Sequence, residues 1–269
     1  NTLDPFHSLD TEAAQQLEKS YLHYFNYVRA NGGNSLVITS TGEAVLKMDY
    51  ISRLGKIISQ MENPFPSVEL QTSGLTLDRE KVARLVNEGH ISTISLSLSS
   101  MWNKVQNADY NLTPVGREVD MDALCNIIKE FPVTLRLTAL LTDVYNGHDP
   151  KAILGRAKQL GADQVTFKQL QLFDEGVASE KSKVVADWIV NHRTDQRTIT
   201  DLREHIKSIG TDQLNLGFGI RYMVDGMSVV LDDACMDTNS SKNDVRYLIL
   251  RPDGRLYPGW EVLEPLDVP

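Results

Sequence analysis

The segment Asn31-Gly-Gly-Asn-Ser-Leu-Val-Ile-Thr-Ser-Thr-Gly-Glu43 decides the fold. Its centre, residues 35–39, is short, β-branched and entered from a glycine-rich turn, so it reads as a buried strand. Helical patterns flank it on both sides. Residues 10–29 place Leu17, Tyr21, Tyr24 and Val28 on one stripe. Residues 48–61 read as a helix stopped by Asn63-Pro64.

The alternation continues outward from there. Residues 68–71, 93–98, 133–140 and 162–170 read as strands, separated by helical stretches at 78–88, 120–130 and 149–161. Two further helices, at 184–191 and 199–209, precede an apolar stretch at 214–220. Strand–helix alternation at this spacing predicts parallel β/α units, because parallel strands need crossover connections. The expected fold is α/β: a partial (β/α)6-type TIM-like barrel over residues 1–226. A flat doubly wound sheet stays open as an alternative, because periodicity does not report closure. Residues 227–269 differ. They read as a short β-rich C-terminal extension of the same domain, with strands at 227–231, 245–250 and 255–257 and a Pro252-Asp-Gly254 turn.

Composition narrows the function classes. At 269 residues, 41% hydrophobic and 23% charged, the chain is ordinary for a soluble globular protein, which argues against disorder or a fibrous repeat. No apolar run approaches the roughly 18–20 residues needed to cross a bilayer, and the first residues carry no signal-peptide pattern. The formal charge of −9 repels phosphate backbones, so extended nucleic-acid binding is not expected. Cys125 and Cys235 lie far apart and form no short-spaced metal motif; their scarcity points to a reducing, cytoplasmic compartment. The sequence begins at Asn1 without a methionine, which implies processing or a start inside a longer protein.

In parallel β/α architectures, functional groups gather at the C-terminal ends of strands. Here those ends carry Ser40-Thr-Gly-Glu43, Gln71-Thr-Ser-Gly74, Ser95 to Ser100, Arg136 with Thr138, and Lys168 with Gln169 and Gln171. Each has a structural alternative. Glu43 can simply cap the next helix, Thr-Ser-Gly is a common turn, and alternating serines suit one polar strand face. Arg136 and Lys168 are more informative, since a charge on a buried strand needs a partner. A salt bridge to Glu43 or Glu69 would meet that need. Five successive polar strand ends together point to a ligand site.

These segments resemble the radical S-adenosylmethionine (SAM, AdoMet) enzymes. Leu36-Val-Ile-Thr-Ser-Thr-Gly-Glu-Ala-Val-Leu46 is similar to that family's strand and Gly-Gly-Glu-Pro turn, with Thr41 and Ala44 at its glycine and proline positions. Ser67-Val-Glu-Leu-Gln-Thr-Ser-Gly-Leu-Thr-Leu77 resembles the next strand, Ile94-Ser-Leu-Ser-Leu-Ser99 the one after, and Leu160-Gly-Ala-Asp-Gln-Val-Thr-Phe-Lys168 a later one. Arg255-Leu-Tyr-Pro-Gly259 resembles a C-terminal hairpin of several members. The similarity runs in order over residues 8–260. The family's Cys-x3-Cys-x2-Cys loop, which holds a [4Fe–4S] cluster, is not in this sequence. In the family it lies on the preceding strand. Forty-two residues precede Glu43 here, so the resemblance places the cluster cysteines upstream of Asn1 and no metal ligand within the chain.

The resemblance implies a chemistry and a set of roles. A reduced cluster cleaves SAM to methionine and a 5′-deoxyadenosyl radical, which abstracts hydrogen from a substrate. Thr41, Gly42 and Glu43 would hold the SAM amino group, with Ser40 beside them in the cofactor site. Gln71, Thr72 and Ser97 would face its carboxylate or ribose, and Arg136 would pair with the carboxylate in fork geometry. Lys168, Gln169 and Gln171 would contact a small-molecule or peptide substrate. A flavodoxin or ferredoxin would supply electrons. Two other readings remain: a class I aldolase-like lyase with Lys168 as Schiff-base nucleophile, and a cluster-free ligand-binding or interaction module.

Overall fold

The computed structural model describes residues 5–6, 9–40, 42–111, 113–114, 116–170, 180–216, 219–232, 247–259 and 262–268. Thr41, Gln171 and Cys235 lie outside them.

Helix α1 (Thr11–Ala30) leads into strand β1 (Ser35–Ile38), and a 3₁₀ turn (Ala44–Lys47) runs into α2 (Met48–Ile58). Next come β2 (Ser67–Thr72), α3 (Arg79–Asn87) and β3 (Thr93–Leu98), then α4 (Lys104–Tyr110), α5 (Met121–Lys129) and β4 (Thr134–Leu141). Helix α6 (Pro150–Gln159), β5 (Gln164–Gln169), α7 (Glu180–His192) and α8 (Gln196–Ile209) continue the alternation. The chain then turns to β6 (Thr211–Asn215), β7 (Gly219–Val224) and β8 (Met227–Asp232), and finishes with the pair β9 (Ile249–Leu250) and β10 (Leu256–Tyr257).

Eight strands form one sheet in the order β1-β2-β3-β4-β5-β8-β7-β6. Six are parallel (β1 to β5 and β8), while β7 and β6 run antiparallel at the far edge. Among the described residues the sheet is open, with β1 and β6 at its edges, so the expected α/β partial barrel holds and no closed barrel forms. The position between residues 226 and 227, expected to separate barrel from extension, falls in the turn that joins β7 to β8 within this sheet. There Asp225 (φ 49°) and Gly226 (φ 80°) are both left-handed, the signature of a tight type I′ hairpin. The β9–β10 hairpin packs near α1, where the Tyr21 hydroxyl donates to the Arg251 carbonyl at 3.3 Å.

Local chemistry explains the helix starts. Asp10, Asp78, Asp120, Asp149 and Asp195 each precede a helix and accept a hydrogen bond from its first-turn backbone N–H. Such caps satisfy donors that the helix cannot pair itself. One short helix, α4, has no apolar stripe to announce it. It rests on the Asn103 cap, and Asn107 Oδ1 accepts from the Ser99 and Ser100 amides just past β3.

The core lies between sheet and helices. Leu135, Leu137, Ala139 and Leu141 of β4, and Val165 and Phe167 of β5, are at most 1% exposed. Where α2 crosses α3, the backbones nearly touch. A Cβ placed on Gly55 would lie 1.8 Å from the Glu88 carbonyl oxygen. Gly55→Ala should therefore force the two helices apart and cost about 1–3 kcal/mol, the scale of overpacking. Urea denaturation checks this; a midpoint equal to wild type would contradict it. Among the described residues, no helix is long and apolar enough to cross a membrane.

Candidate functional site

A parallel sheet covered on both faces reads as continuous apolar strands. These strands alternate instead. Residues pointing away from the helices are polar on nearly every strand, and the pairing register stacks them in rows. Gln71, Ser95, Arg136, Gln164 and Ser228 form one row. Ser97, Thr138, Thr166 and Val230 form the next, with Arg221 opposite Val230. Lys168 and Asp232 pair in a third, at the C-terminal ends of β5 and β8. Arg136 and Lys168 thus differ in height by four residues, about 13 Å along the strands. A cavity of about 370 Å³ opens on this face; Gln71, Arg136 and Lys168 line it together with Glu69, Arg221 and Asp232.

Charge is paired deep in the lumen. Arg136 Nη1 donates to Glu69 Oε2, while its Nε and Nη2 donate to Gln164 Oε1 at 2.8 and 2.5 Å. The Gln71 amide adds a 3.2 Å bond to Glu69 Oε1. The Glu69 side chain is only 4% exposed and Arg136 31%, so the pair satisfies the charge demand that the strand pattern raised. Arginine carries five N–H donors; two of those on Arg136 remain after these three bonds. Above the pair, Ser95 and Thr138 share a 3.0 Å hydroxyl hydrogen bond.

The rim over β1 and β2 is a clasp. Glu43 Oε1 accepts from the Thr72 hydroxyl (2.6 Å) and the Val45 amide (3.1 Å). Its Oε2 accepts from the Ser73 hydroxyl (2.6 Å) and amide (3.0 Å). These four bonds match the acceptor capacity of a carboxylate. They cap the 3₁₀ turn, as the structural alternative for Glu43 had it, and tie the loop after β1 to the end of β2. Within that loop, the Gly42 amide donates to Ser40 Oγ at 3.3 Å.

The sequence-derived candidates thus fall into groups. Ser40, Gly42, Glu43 and Thr72 meet at the rim, and Gln71, Arg136 and Lys168 meet in the lumen. Ser97 is exposed on the same face, and its carbonyl accepts from the Asn111 amide at 3.3 Å. Gln169 does not line the cavity. Sequence reasoning missed Arg221 and Asp232 as cavity residues. The signal was present in Asp225-Gly226, a hairpin dipeptide that folds β7 back along β8.

Two tests bear on cofactors. Among the described residues, no group of three or more His, Cys, Asp or Glu side chains is arranged to hold a metal ion. Cys125 is buried on α5 at 1% exposure, and burial, with the nearby Asp122 charge, pushes its thiol up to about 12. It is an inert core thiol, since metal binding requires the thiolate. The described residues therefore do not fit an iron–sulfur cluster. At the rim the Glu43 carboxylate is engaged by Val45, Thr72 and Ser73, and in the lumen Arg136 retains two N–H donors.

Solved structures give the fold a context. The chain is similar to native anSMEcpe with bound AdoMet and Kp18Cys peptide, at 13% identity and a TM-score of 0.51, over 94% of this chain and 68% of that one. The complex of anSMEcpe with AdoMet and the Cp18Cys peptide matches at 16% identity and a TM-score of 0.50, over 72% of this chain and 51% of that one. What is shared is the fold. Coproporphyrinogen III oxidase (HemN) from Escherichia coli, a radical SAM enzyme, aligns over 75% of this chain and 47% of its own, at 18% identity and a TM-score of 0.47. In the latter two alignments the chain spans about half the length of the structure it matches. No family model matches the sequence, and no curated protein does.

Proposed function

We propose that this chain binds AdoMet at the rim over β1 and β2 and serves a radical SAM reaction on a small-molecule or peptide substrate held in the lumen. The observation that carries this reading is the open polar face beneath a strand-end clasp, on a fold shared with AdoMet-bound structures. A [4Fe–4S] cluster would have to be held by residues other than those described, and would supply the electron for reductive cleavage of AdoMet. The described residues offer it no ligands, so none of them is given a part in that step.

The roles are those that the family resemblance implies. Thr41, Gly42 and Glu43 take the AdoMet ammonium, with Ser40 beside them in the cofactor site. Glu43 is already saturated, so the ammonium replaces a neutral hydroxyl donor, Thr72 or Ser73, with a stronger charge-assisted one. Gln71, Thr72 and Ser97 face the carboxylate or ribose, and Arg136 offers its two remaining N–H groups. Lys168, Gln169 and Gln171 are the substrate candidates, of which Lys168 lines the cavity, Gln169 does not and Gln171 lies outside the described residues; a flavodoxin or ferredoxin would deliver the electron.

Anaerobic iron–sulfur reconstitution of the protein expressed from its full reading frame, followed by incubation with AdoMet and dithionite, tests the reading. Dithionite-dependent release of 5′-deoxyadenosine and methionine is expected. Protein that takes up no iron and sulfide, or takes them up without forming either product, overturns it.

One observation favours a second reading. Lys168 lines the cavity with buried Asp232 as its register partner, the placement a Schiff-base lysine and a proton-transfer carboxylate would need. Borohydride trapping of a carbonyl compound on Lys168 would favour an aldolase-like lyase over radical chemistry.

A further inference from the structure

The cavity holds a cation that the proposed reaction does not use. Arg221 lies on β7, across from Val230, one row above Arg136 and one below Lys168. Its Nε is buried and has no hydrogen-bond partner, although the side chain lines the cavity. A buried donor left unpaired is uncommon, and each such group calls for an explanation. The charge balance sharpens the point. Among the described residues of this wall, three cations (Arg136, Lys168, Arg221) face two carboxylates (Glu69, Asp232), one positive charge in excess, in a chain whose formal charge is −9. Glu69 is already committed to Arg136. A positive pocket in an acidic protein concentrates small anions locally while the exterior repels polyanions.

We propose that Arg221 anchors an anionic group of the substrate, a carboxylate or a phosphate, with Lys168 as the second cation above it. The unpaired Nε is covered by protein atoms in the ligand-free structure, so a small side-chain shift has to uncover it before the side-on edge of the guanidinium, Nε–H beside Nη–H, takes a bidentate bond to two oxygens. Anion binding stands on the cavity alone; the identity of that anion as the substrate's rests on the function proposed above.

Calorimetric titration of inorganic phosphate and of succinate, without cluster, tests the anchor and tells the two oxyanion classes apart. Saturable binding of at least one is expected. Arg221→Met, which keeps the apolar stem, should weaken it at least tenfold. Arg197→Met, at a 91% exposed side chain on α8, should not. Removing an unpaired buried donor should also raise the Tm of the ligand-free variant by about 2–4 °C. Neither anion binding saturably, equal affinity for wild type and Arg221→Met, or a lowered Tm would overturn the anchor. Saturating AdoMet is the last arm. Unchanged anion affinity supports a separate substrate anchor, and competition would reassign Arg221 to the cofactor. The anion arms read out even if AdoMet does not bind, so failure here is distinct from failure of the radical SAM reading.

Discussion

Arg136→Ala is expected to lower folding stability by about 3–5 kcal/mol, the range for breaking a buried ion pair from one side. The cost comes from what is left behind. The Glu69 side chain is 4% exposed, and without the guanidinium its remaining partner is the Gln71 amide at 3.2 Å. Gln164 Oε1 would lose both of its donors from Arg136 as well. Water entering the cavity offsets part of this, because Arg136 itself is 31% exposed. The double replacement Glu69→Gln with Arg136→Gln removes both charges and should recover most of the loss, since neutral replacement of a whole pair is often tolerated. Urea unfolding of both single variants and the double variant closes the cycle. A loss below about 1 kcal/mol for Arg136→Ala would mean that the pair is a solvated one.

Glu43→Ala should act twice. It strips the acceptor from the Thr72 hydroxyl, from the Ser73 hydroxyl and amide, and from the Val45 amide. Thr72 is 4% exposed, so its hydroxyl has little access to water in exchange. Unsatisfied buried donors cost about 1–3 kcal/mol each and a lost cap about 1; solvent reaches Ser73, so a net loss of about 3 kcal/mol is expected. AdoMet affinity should fall at least tenfold, through the lost ammonium acceptor and through the freed loop after β1. Glu43→Gln separates the two effects. The amide keeps one oxygen for Thr72 and Val45, so stability should fall less while AdoMet binding still drops. Paired thermal melts and titrations read both quantities. Affinity unchanged in Glu43→Gln would confine Glu43 to its capping role.

Much of this was legible in the sequence because parallel β/α units write their helices and strands in different periods. The strand ranges expected around residues 68–71, 93–98 and 133–140 match β2, β3 and β4 closely. Aspartates before α3, α5 and α6 marked those helix starts. The elements that escaped notice depend on tertiary contacts. Helix α4 has no apolar stripe, and the Asn107 bonds to residues beyond β3 hold it. The stretch 214–220, read as one apolar run, is divided between β6, an edge strand exposed along its whole length, and β7, whose buried residues Tyr222 and Val224 lie beyond that stretch.

The candidate site was legible in part. Polar residues at alternate strand positions were visible, and they do share one face. Their pairing was not, because Arg136 finds Glu69 from a strand two places away in the sheet. A partner at that sequence distance leaves no local spacing to read. Glu43 likewise meets Thr72 only after β1 and β2 are set side by side. Arg221 was hidden for a different reason: β7 runs antiparallel to the strands whose ends drew attention, so the loop-end rule for parallel units did not point to it.

The central claim is that the rim clasped by Glu43 is an AdoMet site. Calorimetric titration of AdoMet into the wild-type protein tests it most directly. Saturable binding of one equivalent, weakened at least tenfold in Glu43→Gln at unchanged fold, is the predicted result. No saturable heat from a folded wild-type protein, or equal affinity in the variant, would contradict it.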